Sequence, residues 1–134
     1  MAITINGTTG ITFPNALTQD QAVASAGSAP LYACRAWVNF NGTGTIAIRS
    51  SANVSSLVDN GVGDYTVNFG IAMLDANYAV AGAVARGASN SRGAGFEVHP
   101  STAQTTTSVT VRGITIDTSP APLDCGSVDV CIFR

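Results

Sequence analysis

Lysine is absent from this sequence, and charge of either sign is scarce: six arginines and eight acidic residues are spread over 134 positions. At 10% charged residues, the chain falls far below the ~25% of an ordinary soluble domain. The arginines, Arg35, Arg49, Arg86, Arg92, Arg112 and Arg134, form no cluster, and the formal net charge is -2. Binding a nucleic-acid backbone requires a basic stripe that neutralises phosphates, so no nucleic-acid partner is expected. No apolar run approaches the ~20 residues of a membrane-crossing helix, so no membrane partner is expected either. The N-terminus has neither a basic n-region nor an apolar h-region, so no secretory signal peptide is expected. Cysteine is limited to Cys34, Cys125 and Cys131. An odd count cannot close a complete disulfide framework; at most one intrachain bridge can form. The plainer reading is three small hydrophobes in or beside strands.

What is present is apolar and small. Hydrophobic residues make up 46% of the chain, with a mean hydropathy of +0.27, which excludes disorder throughout. Solubility must then come from Thr, Ser, Asn and Gly. The length allows one domain of ordinary core size plus an extension.

From Leu31 onward the hydrophobic period is close to two. Cys34, Ala36, Val38 and Phe40 fall on one face of a strand, and Arg35, Trp37 and Asn39 on the other. Asn41-Gly42-Thr43-Gly44 reads as a turn into a second strand carrying Ile46 and Ile48, which makes a hairpin. Residues 53–58 lead to Asp59-Asn60-Gly61, expected as a turn, and Tyr65, Val67 and Phe69 then alternate with Asp64, Thr66 and Asn68. Further strands are expected at residues 77–84, 95–99, 107–116 and 127–133. Short strands punctuated by Gly, Asn and Pro predict an all-β head, an antiparallel β-sandwich or jelly-roll-like domain. Its expected span is residues 28–134, bounded by Gly27, Ser28 and Pro30.

Residues 1–27 differ. Ile3, Ile5, Ile11, Phe13 and Leu17 are isolated among Thr, Gly, Asn and Pro14, too few to build a core. Such a segment gains order by pairing with the following domain, with copies of itself or with a docking surface. An extended anchor is expected, with two turns of helix over residues 19–26 as its only helical candidate.

Two parts of the chain resemble bacteriophage tail-fibre proteins. Thr12, Phe13, Pro14, Asn15, Thr18, Gln19 and Ala22 match a signature from the N-terminal or linking region of such fibres. Where a fibre usually has an Asp-Gly-type turn, this chain has Asn15-Ala16-Leu17. In the β region, YACRAWVNFNGTG (residues 32–44), DNGVGDYTVNF (59–69), ANYAV (76–80) and the final IFR (132–134) are similar to a small C-terminal domain of marine and cyanobacterial phage tail proteins. The resemblance implies a virion structural protein, generally trimeric, made in the host cytoplasm and carried in the particle. With that resemblance, residues 1–27 are expected to attach to a tail, baseplate or neck protein, with Ile3, Ile5, Ile11, Phe13, Pro14 and Leu17 of the segment as the apolar contacts. It supplies no catalytic or ligand-binding residue. A neck or head decoration fibre, and a carbohydrate- or receptor-binding module, are the alternatives.

Motifs for chemistry are few. His99 has Glu97 two residues earlier but no second histidine, and a metal site needs three or four ligands. Asp59, Asn60 and Asp64 lack the oxygen spacing and closing Glu of a calcium loop. No paired carboxylates, nucleophile elbow or phosphate-binding glycine loop is recognisable, so neither an enzyme nor a cofactor is expected. The best binding candidates are Arg86, Asn90 and Arg92, on a loop between strands where recognition concentrates, together with Trp37. The partner they would suit is a host surface polysaccharide. The plainer readings are a hairpin connection for the loop and a packing or interface residue for Trp37.

Overall fold

The computed structural model describes residues 33–87 and 93–134, together with the backbone of three short N-terminal strands. The chain divides into two compact units, Met1–Tyr32 and Ala33–Arg134. In the first, β1 (Thr4–Asn6), β2 (Gly10–Thr12) and β3 (Thr18–Gln19) form an antiparallel sheet in that order. Ile5 stands opposite Ile11, and Thr12 opposite Thr18. Of the helix expected over residues 19–26, Gln19 belongs to β3, and the rest lies outside the described residues.

The second unit is all-β. Its strands are β4 (Cys34–Asn41), β5 (Ala47–Ala52), β6 (Val54–Gly61), β7 (Asp64–Phe69), β8 (Ala79–Ala85), β9 (Gly93–Val98), β10 (Ser108–Ile116) and β11 (Ser127–Phe133). They form two four-stranded antiparallel sheets, β6-β7-β10-β9 and β5-β4-β11-β8, packed together as a β-sandwich. Period-two sequence explains which side of each central strand faces inward. Ala36, Val38 and Phe40 of β4 and Val128, Val130 and Ile132 of β11 are buried. They meet Tyr65, Val67 and Phe69 of β7 and Val109 and Val111 of β10 from the other sheet. Each full-size apolar side chain sequestered this way contributes roughly 1.5–3 kcal/mol before entropy is charged against it. Phe40 and Tyr65 pack edge to face with ring centroids 5.1 Å apart, and Phe69 and Tyr78 do likewise at 5.7 Å.

Local chemistry decides the connections. The turn expected at Asp59-Asn60-Gly61 lies further on, at Val62-Gly63, because β6 runs to Gly61. Gly61 (φ 130°) and Gly63 (φ 67°) supply the left-handed backbone this hairpin needs. Asp59 instead marks a bulge, its Oδ1 accepting from the Gly61 N–H at 3.0 Å.

The chain crosses from one sheet to the other between β5 and β6 at Asn53 (φ 55°), a residue type that tolerates this conformation. The Asn53 carboxamide donates to the carbonyls of Arg35 (3.0 Å) and Ile71 (3.1 Å) and accepts from the Ile71 N–H (2.6 Å). One side chain therefore ties the crossing to β4 of one sheet and to the segment that follows β7 of the other.

Candidate functional site

The two sheets present unlike outer faces. On β5-β4-β11-β8, the register places Trp37 opposite Cys131, and Cys131 opposite Ala81. The next row is Asn39, Asp129 and Ala83, and Phe133 stands opposite Ala79. Ala79, Ala81, Ala83 and Ala85 are all exposed along the edge strand β8. The polar groups near the middle of this face are already engaged with one another. Asn39 donates to Asp129 Oδ1 (2.6 Å) and Ser127 Oγ (3.0 Å). Arg49 donates to the carbonyls of Phe40 (3.1 Å) and Gly126 (2.6 Å). Groups bonded within the chain lose less on leaving water, so much of this face can be covered at low desolvation cost.

The outer face of β6-β7-β10-β9 is polar. Asp64, Arg112 and Glu97 stand in one cross-strand row. Arg112 lies 3.2 Å from Glu97, and His99 Nε2 lies 3.3 Å from Asp64 Oδ2. Asn60 donates to Asp64 Oδ1 and Thr66 Oγ1, and the Thr66 and Thr110 hydroxyls are 3.1 Å apart. His99 follows directly after β9, which ends one residue short of the strand expected to reach it, and its N–H donates to the Thr110 carbonyl at 2.9 Å. Asp59 and Asp64 are bonded to neighbours, Asp59 to the Gly61 N–H and Asp64 to Asn60 and His99. Among the described residues, no group of three or more His, Cys, Asp or Glu could hold a metal ion.

Asp124 joins three segments at one end of the sandwich. Its Oδ1 accepts from the Gly63 N–H at 2.7 Å and lies 3.2 Å from the Tyr65 hydroxyl. That hydroxyl donates to the Gly42 carbonyl at 2.6 Å. Burial first, and the Asp124 carboxylate second, push the Tyr65 phenol well above its ordinary value. Burial likewise raises Tyr78 and Cys125, the latter offset in part by the positive charge of Arg86. At the opposite end, Arg134 pairs with Asp75 and, with the Asn77 N–H, holds its carboxyl below the usual value.

The binding candidates do not converge. Trp37 is 38% exposed, enough to leave part of its ring open. Arg86 is half-buried beyond the end of β8, near Cys125 and next to the residues opposite Ser127. Ser127 and Cys131 are separated along β11 by roughly 14 Å of strand, which sets Arg86 apart from Trp37. Asn90 and Arg92 lie outside the described residues. Of the attachment candidates, Ile5 and Ile11 fall in β1 and β2; Ile3, Phe13, Pro14 and Leu17 lie outside the described residues.

Sequence reading missed the roles of Asn53, Asp124 and Arg49. Their partners stand 9 to 78 positions away, across strand pairings that no local pattern signals. The sequence also gave no sign of an open cleft of about 290 Å³ lined by Arg35, Met73, Leu74 and Arg134. No protein-family model, curated protein or solved structure matches the chain.

Proposed function

We propose that this chain is a structural protein of a bacteriophage particle: a homotrimeric tail fibre held through its N-terminal strands, with the β-sandwich projecting as a head toward the host surface. The observation that carries the reading is the exposed row Ala79, Ala81, Ala83 and Ala85 on an edge strand. This edge lacks the lysines, prolines or inward charges that normally keep such strands from pairing with other chains. Small side chains allow a second copy to approach closely, and a sandwich of about 100 residues gains much from buried intersubunit surface. The resemblance of two chain segments to tail-fibre proteins supplies the threefold expectation and the attachment role of residues 1–27. Native mass measurement at micromolar concentration tests it. A species of three times the 13.6 kDa chain mass supports the fibre; a stable monomer overturns the trimer.

A second reading, carbohydrate binding by the head, is favoured by one feature. The partly open ring of Trp37 sits one row from the bonded pair Asn39 and Asp129, and an aromatic plane beside amide and carboxylate groups suits a sugar. Glycan-array binding that is lost in Trp37→Ala supports it. Absence of any glycan binding leaves a purely structural fibre, or a neck or head decoration.

A further inference from the structure

Two of the three cysteines meet on the outer face of β5-β4-β11-β8, although 97 positions separate them in sequence. Cys34 opens β4 opposite Phe133, and Cys131 lies on β11 opposite Trp37. Residues placed diagonally across a regular ladder stand about 7–8 Å apart, outside the usual span of a disulfide. The ladder is not regular here: Ile132 stands opposite Ala36 but Phe133 opposite Cys34. Arg35 is therefore the extra residue of a bulge that takes Cys34 off the face it shares in sequence with Ala36, and bulges bend and twist the strand that carries them. The Cys34 thiol leans along its strand toward the Trp37 row, with Sγ 3.1 Å from the Ala36 carbonyl. The Cys131 thiol is raised by burial and in part by this neighbouring Cys34.

We propose that Cys34 and Cys131 form a dithiol that closes into an intrachain disulfide, tying the first strand of the sandwich to the last. The oxidant is a low-molecular-weight disulfide such as oxidised glutathione. Cys34 is exposed and Cys131 only half-exposed, so the Cys34 thiolate attacks first. One reagent S–S bond breaks, one glutathione thiolate leaves, and a mixed disulfide forms on Cys34. The Cys131 thiolate then attacks the Cys34 sulfur and expels the second glutathione. The protein loses two electrons and two protons, and the reagent gains them as two thiols. Burial and the adjacent Cys34 raise the Cys131 thiol, which agrees with its acting second. Cys125 takes no part: it is fully buried, and its thiol packs close to Gly113. Cys34 lies two strands from the alanine row, roughly 10 Å away at ordinary strand spacing, so the chemistry does not depend on whether copies associate there.

The test uses the full chain treated with oxidised glutathione, then unfolded and alkylated. One alkylated thiol per chain, a mass lower by two hydrogens before alkylation, and a melting temperature raised by roughly 10 °C are expected, since closing a loop this long restricts the unfolded chain strongly. In Cys125→Ala the same bond and the same rise in melting temperature should appear, with no thiol left to alkylate. Cys34→Ser, a change at an exposed site that leaves the fold intact, should show no intrachain bond and no rise in melting temperature. Three alkylated thiols after oxidation, a bond between two chains on a non-reducing gel, or loss of the bond in Cys125→Ala would each overturn the proposal.

Discussion

Phe96 of β9 lies directly against Gly82 of β8: a Cβ built on Gly82 would stand 2.4 Å from the ring. These are edge strands of opposite sheets, and Val80 and Val84 flank Gly82 on the same side of β8 and pack against the core. The missing side chain makes the space into which the ring of the facing sheet fits. Gly82→Val should therefore lower stability by about 1–3 kcal/mol through overpacking, measured as a shift in the urea midpoint. An unchanged midpoint would mean the ring swings clear, and that it does not close this edge.

Gly63 is more constrained. Its φ is +67°, and an added Cβ would come within 2.3 Å of the Leu123 backbone nitrogen and 2.7 Å of the Gly113 carbonyl. Backbone cannot yield as a ring can. Gly63→Ala should cost about 2–4 kcal/mol from strain and clash together. A loss under 1 kcal/mol in equilibrium unfolding would contradict this geometry.

Tyr65 sets a limit at high pH. Its folded-state value is raised above the ordinary 10.0, so the unfolded chain releases the phenolic proton first. The stabilisation is complete below pH 10 and is lost as pH climbs above it. The urea midpoint should fall steadily between pH 9.5 and 11. Tyr65→Phe should lower stability by about 1–2 kcal/mol at pH 7 through the lost hydrogen bonds, yet show a shallower alkaline decline. Parallel pH profiles for the two proteins would show that Tyr65 does not govern the effect.

Ala81 tests the proposed contact between copies. It is exposed on β8, so Ala81→Arg should leave the sandwich within about 0.5 kcal/mol of its original stability. A guanidinium in a close-packed interface would be desolvated without a partner, and trimer dissociation should become easier by at least tenfold. A trimer with an unchanged dissociation profile would place this face in solvent.

Deleting residues 1–18 separates attachment from folding. The core cluster of the second unit is built from residues 36–132, so the truncated chain should melt within about 2 °C of the full one. Incorporation into particles, followed by immunoblot of purified virions, should be abolished. Retained incorporation would move the attachment function into the sandwich.

The eight strands of the head were legible in sequence because half-buried strands alternate. Tyr65, Val67 and Phe69 or Val128, Val130 and Ile132 can bury only one side of a pleated strand, whatever they pack against. Turn positions were less legible: Asp59-Asn60-Gly61 carries turn residues, yet the chain uses them for a bulge and reverses at Gly63. Local preference permits both, and the Gly63 N–H bond to Asp124, 61 positions away, belongs to the register that formed. Pairing across β7 and β10, or β4 and β11, joins segments with no local signature. The same holds for the Asn53 clasp, the Gly82 and Phe96 contact, and the meeting of Cys34 with Cys131. Residue chemistry alone determined that the chain makes low-charge, one-sided strands. Which strands became neighbours, and therefore which side chains share a face, was decided by tertiary packing, because only the closed sandwich buries every apolar stripe at once.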